Sequence, residues 1–149
     1  MDQRPEFDAG VGVVDESNGG GSAASGLKQR VQWARRDEIV PFSPATGIRV
    51  QPVIGEGLMT CWIAMEPGAV VVEHSHPNEQ LGVVVEGSVE ITADGETRTA
   101  TVGDAYVVPS HVVHRGVAGP NGVLLVETFV PVREEYERAW QEATKARRD

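Results

Sequence analysis

From Leu27 onward the chain is a succession of short runs rich in valine, isoleucine and threonine, each cut off by glycine, proline or aspartate. Runs of that composition fit a pleated sheet, and their breakers fit turns. Strands are expected near 30–34, 38–42, 47–53, 58–65, 70–74, 80–86, 88–93, 96–101, 105–108, 111–117 and 122–130. Between them stand Glu56-Gly57, Pro67-Gly68, Glu86-Gly87, Asp94-Gly95, Gly103-Asp104 and Gly119-Pro120-Asn121-Gly122. Asp94-Gly95 marks a tight hairpin, because both central residues of such a turn take positive φ. Many short strands without helical patterning between them argue against a parallel sheet and predict an all-β sandwich or closed barrel. Only the end departs from this. After Pro131-Val132-Arg133 comes EEYERAWQEATKARR, in which Tyr136, Trp140 and Ala143 recur at helical spacing. Its acidic start and basic finish suit the helix dipole, so a helix over about 133–147 is expected as a lid or flank on the barrel.

With 149 residues the chain suits one hydrophobic core. Its 22 acidic and 13 basic side chains leave a formal charge of -9, which repels a phosphate backbone and argues against nucleic acid as a partner. A lone cysteine, Cys61, allows neither an intramolecular disulfide nor a four-cysteine zinc site. No apolar run approaches the ~20 residues that span a bilayer, and the opening MDQRPEFDAG is acidic where a secretory signal is basic. The expectation is a cytoplasmic protein with no membrane partner. Arg35-Arg36 does not read as an export signal, since DEIVPF follows in place of an apolar stretch. Residues 1–26 hold six glycines, Gly10, Gly12, Gly19, Gly20, Gly21 and Gly26, and little that can be buried. They are expected to form a disordered tail before a domain over 27–149. Gly19-Gly20-Gly21-Ser22 lacks the following lysine and preceding strand that a phosphate loop needs.

Two stretches carry chemistry. The first runs from Gly68 through His74, His76, Glu79 and Gln80 to Gly87; the second runs from Gly103 through Pro109, His111 and His114. His74 and His76, two apart at a strand end, share a face. With a third imidazole from another hairpin they could hold zinc, nickel, manganese or iron. Taken singly, a histidine is more often a surface residue or a hydrogen-bonded core residue. The two stretches together resemble the paired motifs of the cupin superfamily: glycine, five residues, His-X-His, three or four residues, glutamate, six residues, glycine; then glycine, five residues, Pro-X-Gly, two residues, histidine. The resemblance implies a jelly-roll barrel, motif regions at 68–87 and 103–118, and a metal held by His74, His76 and His114. Two positions depart from it: His111 stands where the family usually has glycine, and Gln80 where it usually has glutamate. Six residues separate Gln80 from Gly87, whereas Glu79 would need seven, and neighbours on a strand face opposite ways. Gln80 is therefore expected inside and Glu79 outside. His111 differs from His114 by an odd number and is expected on the rim or surface.

Parity also groups Glu127 with Phe129, and Val126, Thr128 and Val130 on the opposite face. A carboxylate among valines and leucines costs several kcal/mol if buried without a partner or task. An ion pair with Arg133 or a solvated edge would account for it as well as catalysis would. The run Glu127, Phe129, Pro131, Arg133, however, resembles the C-terminal Asp-X-Phe-X-Pro-X-Arg signature of KdgF-like cupins, with glutamate in place of aspartate. That resemblance spans roughly residues 45 to 138. It implies that His74, His76, Gln80 and His114 hold one divalent transition metal, that Glu127 moves protons, and that Arg133 pairs with a substrate carboxylate while Phe129 lines the sugar.

The activity so implied is metal-dependent, non-oxidative isomerisation or tautomerisation of a small anionic carbonyl compound or sugar acid, with ketonisation of 4,5-unsaturated uronates the leading case. Such chemistry needs proton transfer and oxygen polarisation but no redox change. Three imidazoles and a neutral amide leave a divalent ion its full charge, which favours Lewis acidity over the two-histidine-one-carboxylate iron chemistry of oxygenases. The rival readings are a cupin dioxygenase of a small organic substrate and a metal- or sugar-binding cupin without turnover. Exposed strand edges and the habit of the superfamily make a homodimer the expected assembly.

Overall fold

Side chains along β2 (Met59–Met65) show how inside and outside are sorted. Met59, Cys61, Ile63 and Met65 are buried, while Thr60, Trp62 and Ala64 between them are only partly covered. The computed structural model describes residues 31–148. Its other strands are β1 (Ile48–Ile54), β3 (Val70–His74), β4 (Glu79–Ala93), β5 (Glu96–Thr101), β6 (Ala105–Val108) and β7 (His114–Val130), followed by the helix α1 (Glu134–Ala146). Every strand pair is antiparallel.

Two long strands, β4 and β7, pair with each other along their whole length and serve two layers. The last part of β7 lies between β2 and the first part of β4, which in turn pairs with β6; β1 closes that layer. The first part of β7 pairs with β3, and the second part of β4 pairs with β5, forming the opposite layer. This is the jelly-roll barrel that the cupin resemblance implies, within the all-β class expected from the strand pattern. Its core gathers Val50, Met59, Cys61, Val84, Val89 and Phe129, each essentially inaccessible to solvent.

The turn from one layer to the other is made inside the strands. The ladder between β4 and β7 shifts register between Val84 and Glu86 and again between Gly87 and Val89. Gly87 and Gly122 face each other there with φ of 71° and 76°. A Cβ on Gly87 would stand 2.0 Å from the carbonyl oxygen of Gly122, so both the backbone conformation and the close approach exclude a side chain. Glu86-Gly87 and Gly119 to Gly122 were expected to separate strands. They are bulges within continuous ones, and the four expected strands at 80–86, 88–93, 111–117 and 122–130 are two.

Other boundaries also shift. The expected strand at 38–42 does not form: Arg36–Glu38 is a single 3-10 turn, and Phe42 alone bridges to Val50. Residues 31–34 carry no strand, and the expected tail over 1–26 lies outside the described residues. Asp94 and Gly95 take φ of 50° and 74°, joining β4 to β5 by the two-residue turn their sequence calls for. The helix α1 falls one residue inside its expected limits at each end and lays Tyr136, Ala139, Trp140 and Ala143 on the barrel, with Tyr136 edge-on to Phe42 at 5.2 Å. No helix among the described residues is long and apolar enough to cross a membrane.

Replacing Gly87 by alanine should lower the unfolding free energy by at least about 2 kcal/mol, since it adds left-handed strain to a backbone clash. Gly57→Ala, whose methyl meets nothing within 4 Å, should stay within about 0.5 kcal/mol of the parent. Urea unfolding of the two variants checks the contrast, and equal midpoints would refute the account of the corner.

Candidate metal centre

His74 closes β3, His76 follows just beyond it, Gln80 stands second in β4, and His114 opens β7 directly across from His74. Paired strand ends thus carry all four into one end of the barrel. Each imidazole is oriented by the same device. The Nδ1 of His74 lies 2.8 Å from the carbonyl oxygen of Val72, that of His76 2.9 Å from Asn78, and that of His114 2.8 Å from Val112. A carbonyl can only accept, so each Nδ1 carries the proton and each Nε2 keeps its lone pair. The ring centroids lie 4.3 to 5.4 Å apart, and one ligand atom from each ring falls within 4.8 Å of the others.

Burial of His76 and His114, with His74 half-buried beside them, makes the site a fit for a cation. Nε2 of His114 is buried and has no hydrogen-bond partner among the described residues. Nε2 of His76 faces Oε1 of Gln80 at 3.0 Å, an acceptor against an acceptor. Turning the Gln80 amide over would not relieve this, because its Nε2 donates to Glu127 Oε1 at 2.7 Å and the flip would set oxygen against oxygen there. Two acceptors held 3.0 Å apart repel one another unless a cation lies between them. Backbone carbonyls on the far ring nitrogens are also the usual outer partners of metal-bound histidines. His74, His76 and His114 could therefore hold an ion, with the Gln80 oxygen beside them. Burial lowers the pKa of His76 and of His114, with the Arg133 charge adding in both and the neighbouring imidazoles acting in the same direction. Neutral imidazoles are the form a metal requires.

Glu79 is exposed and Gln80 buried, as their parity requires. His111 is exposed, but for a reason other than parity: it lies in a turn before β7 with φ of 66°, a left-handed conformation that explains glycine at this point of the motif. Glu127 is fully buried. Burial raises its pKa, opposed by hydrogen bonds from Tyr106 and Gln80 and by the Arg133 charge. Arg133 forms no ion pair with Glu127. Its Nε donates to Glu135 Oε1 at 2.8 Å, and its guanidinium lies 4.0 Å from the centre of the Tyr136 ring and 5.1 Å from that of Phe129. Phe129 is placed behind the site. It has no accessible surface to offer a ligand, and packs edge-on against His76 and Tyr136 at 5.8 Å each. His74, Gln80, Tyr106, His114, Glu127 and Arg133 share a cavity of about 230 Å³.

Tyr106, Asn78 and Glu135 were not expected here. Tyr106 donates to Glu127 Oε1. Asn78 holds His76 through its carbonyl and ties its side chain to the Pro131 carbonyl at 2.6 Å. Only Tyr106 left a trace in the sequence, through the strand parity it shares with the buried Val108. Cys61, register partner of Glu127, is a buried thiol pushed up to about 12 by burial and by that carboxylate, so it stays protonated and is no nucleophile at neutral pH.

A jelly roll that brings imidazoles from two of its strands together inside one end defines a cupin, and residues 61–125 match the Cupin_2 family, described as the cupin domain. The pectin degradation protein KdgF of Dickeya dadantii (strain 3937) is 32% identical over 82 residues, 54% of this chain and 74% of that protein. The structure of KdgF from Halomonas sp. matches with a TM-score of 0.67 at 30% identity, covering 71% of this chain and 98% of that one. An RmlC-like cupin from Shewanella frigidimarina NCIMB 400 matches with the same TM-score at 31% identity, covering 74% and 99%. The chain belongs to the KdgF-like cupins.

The lowered values of His76 and His114 have a consequence for stability. Between those values and the ordinary 6.5 the unfolded chain binds more protons than the folded one, so stability is present above about 6.5 and is lost as pH falls through the window. Glu127, whose pKa is raised, acts with the opposite sign. In a Glu127→Gln background the metal-free protein should therefore melt at progressively lower temperature on acidification from about pH 7 to about pH 5. Calorimetry across that range tests it, and a melting temperature that rose would show the imidazoles to be charged.

Proposed function

We propose that this chain is a metal-dependent, non-oxidative isomerase that converts 4,5-unsaturated uronates to their linear keto form. The observation that carries the reading is the buried Glu127 carboxylate, one hydrogen bond from the Gln80 amide beside three imidazole lone pairs, in a cavity that also holds Arg133. Relatives named for pectin degradation support the substrate class, and their likeness weighs for isomerisation over oxygenase chemistry.

The divalent ion, when bound by His74, His76, His114 and Gln80, supplies Lewis acidity toward a substrate oxygen. The chain's own groups do the rest. Arg133 receives the uronate carboxylate on the face of its guanidinium edge left by Glu135, a fork suited to that group. Glu127 takes the proton of the anomeric hydroxyl as the ring carbon–oxygen bond breaks and returns it to the departing ring oxygen, leaving an aldehyde and an enol. The enol collapses to a ketone as the carbon beside it gains a proton and the enol oxygen loses one. Protons and electrons balance without an oxidant, so one carboxylate able to accept and return a proton is sufficient. Its raised pKa suits both directions of transfer.

The same reading carries the expectation of a homodimer, for which the outer face of the barrel exposes Leu81, Val107 and Val130; gel filtration with light scattering would give twice the chain mass.

Freshly generated unsaturated uronate should lose its ultraviolet absorbance faster with the metal-loaded protein than alone. Glu127→Gln should slow that loss by roughly 10²–10⁴-fold with metal content unchanged. Spontaneous rates with the loaded parent protein would remove this substrate.

A further inference from the structure

Tyr106, Gly82 and Glu127 stand on one rung of the barrel. Gly82 of β4 is the register partner of Tyr106 on one side and of Glu127 on the other, and Gly82 and Glu127 are both buried. Directly paired residues point to the same face, so the three lie side by side toward the cavity. β6 and β7 are two strand spacings apart, about 9.6 Å. A tyrosine can cross that gap only by laying its ring over the strand between. Gly82 makes the crossing possible: a Cβ there would fall 2.3 Å from Cζ, 2.5 Å from the hydroxyl and 2.6 Å from Cε2 of Tyr106. The hydroxyl then donates to Oε1 of Glu127, the atom that also receives the Gln80 amide. Both hydrogen bonds fall on that one oxygen; Oε2 receives none among the described residues.

We propose that Tyr106, passing through the gap at Gly82, is a positioning residue for Glu127: with Gln80 it clamps Oε1 and so presents Oε2 as the oxygen that exchanges protons with substrate. A carboxylate on three rotatable bonds would otherwise turn either oxygen toward the cavity. Two donors on different strands hold both its plane and its handedness. This rests on the isomerase reading for its catalytic consequence, but the clamp itself is a property of the chain.

Tyr106→Phe keeps the ring and removes only the hydroxyl. With metal-loaded protein and unsaturated uronate, it should lower kcat roughly 10- to 100-fold and leave KM within about twofold of the parent, at unchanged metal content. Gly82→Ala, which touches neither ligand nor substrate, should lower kcat similarly by pushing the ring aside. A Tyr106→Phe variant as active as the parent overturns the proposal, as does one whose loss follows its loss of metal. A second readout separates this from failure of the isomerase reading. The hydroxyl proton of Tyr106, shielded from water, should give a downfield proton resonance in the parent that is missing in Tyr106→Phe and displaced in Glu127→Gln. If the parent shows no turnover, the isomerase reading falls and this resonance decides the clamp: its pattern supports the clamp, and its absence overturns it.

Discussion

The carbonyl oxygens of Val72, Asn78 and Val112 each take the proton-bearing nitrogen of an imidazole, and the rest of the site follows from that. Once Nδ1 is committed to an acceptor, Nε2 cannot be a donor in a neutral ring. Three lone pairs are thereby aimed at one another inside a barrel end, where water is scarce. A folded chain tolerates unpaired buried acceptors only at a cost in stability. A divalent cation held by these nitrogens would remove that cost, so the donor set as it stands fits one.

Converging those rings depends on the long bent strands. His114 opens β7 and Glu127 lies near its other end, yet both reach the same cavity, because β7 crosses from one layer to the other at Gly122. β4 makes the matching turn at Gly87. Had the chain closed each layer with separate hairpins, the imidazoles of His74 and His114 and the carboxylate of Glu127 would sit on different sheets. The corner that reads as a breaker in the sequence is what joins the two halves of the site.

How much of this was legible follows from the range of the interactions involved. Side-chain alternation is local and covalent in origin, so it set Gln80 and Glu79 on opposite faces and grouped Glu127 with Phe129 without any knowledge of the fold, while the family motifs said which face is the inner one. The turn at Asp94-Gly95 was legible for a similar reason, since the φ demands fall on those two residues. Gly87 carries the same left-handed signal, but whether a strand ends or bends there is decided by a pairing partner more than thirty residues away. His111 shows parity reaching the right exposure by the wrong route, because the residue is not in a strand. Phe129 was correctly placed inward, but inward-facing residues include both cavity wall and packing behind it, and alternation does not distinguish them. Tyr106 escaped because its role is defined by Gly82 and Glu127, which come together only in the sheet.

Charge links these parts. Glu127 is buried beside a neutral amide and a neutral phenol, and Arg133, the nearest guanidinium in sequence, is held by Glu135. Hydrogen bonds from Tyr106 and Gln80 favour the anion, and burial opposes it more strongly. A carboxylate so balanced responds to any charge placed next to Gln80. A divalent ion on the imidazoles would favour ionised Glu127 through the amide that bridges them, and an ionised Glu127 would in turn turn the amide oxygen toward the ion. Metal binding and proton transfer would then be coupled through Gln80, and a glutamate at that position would break the coupling by setting two carboxylates against each other. The neutral amide would thus be the feature of this donor set that lets a buried acid stand next to a bound metal and still exchange a proton.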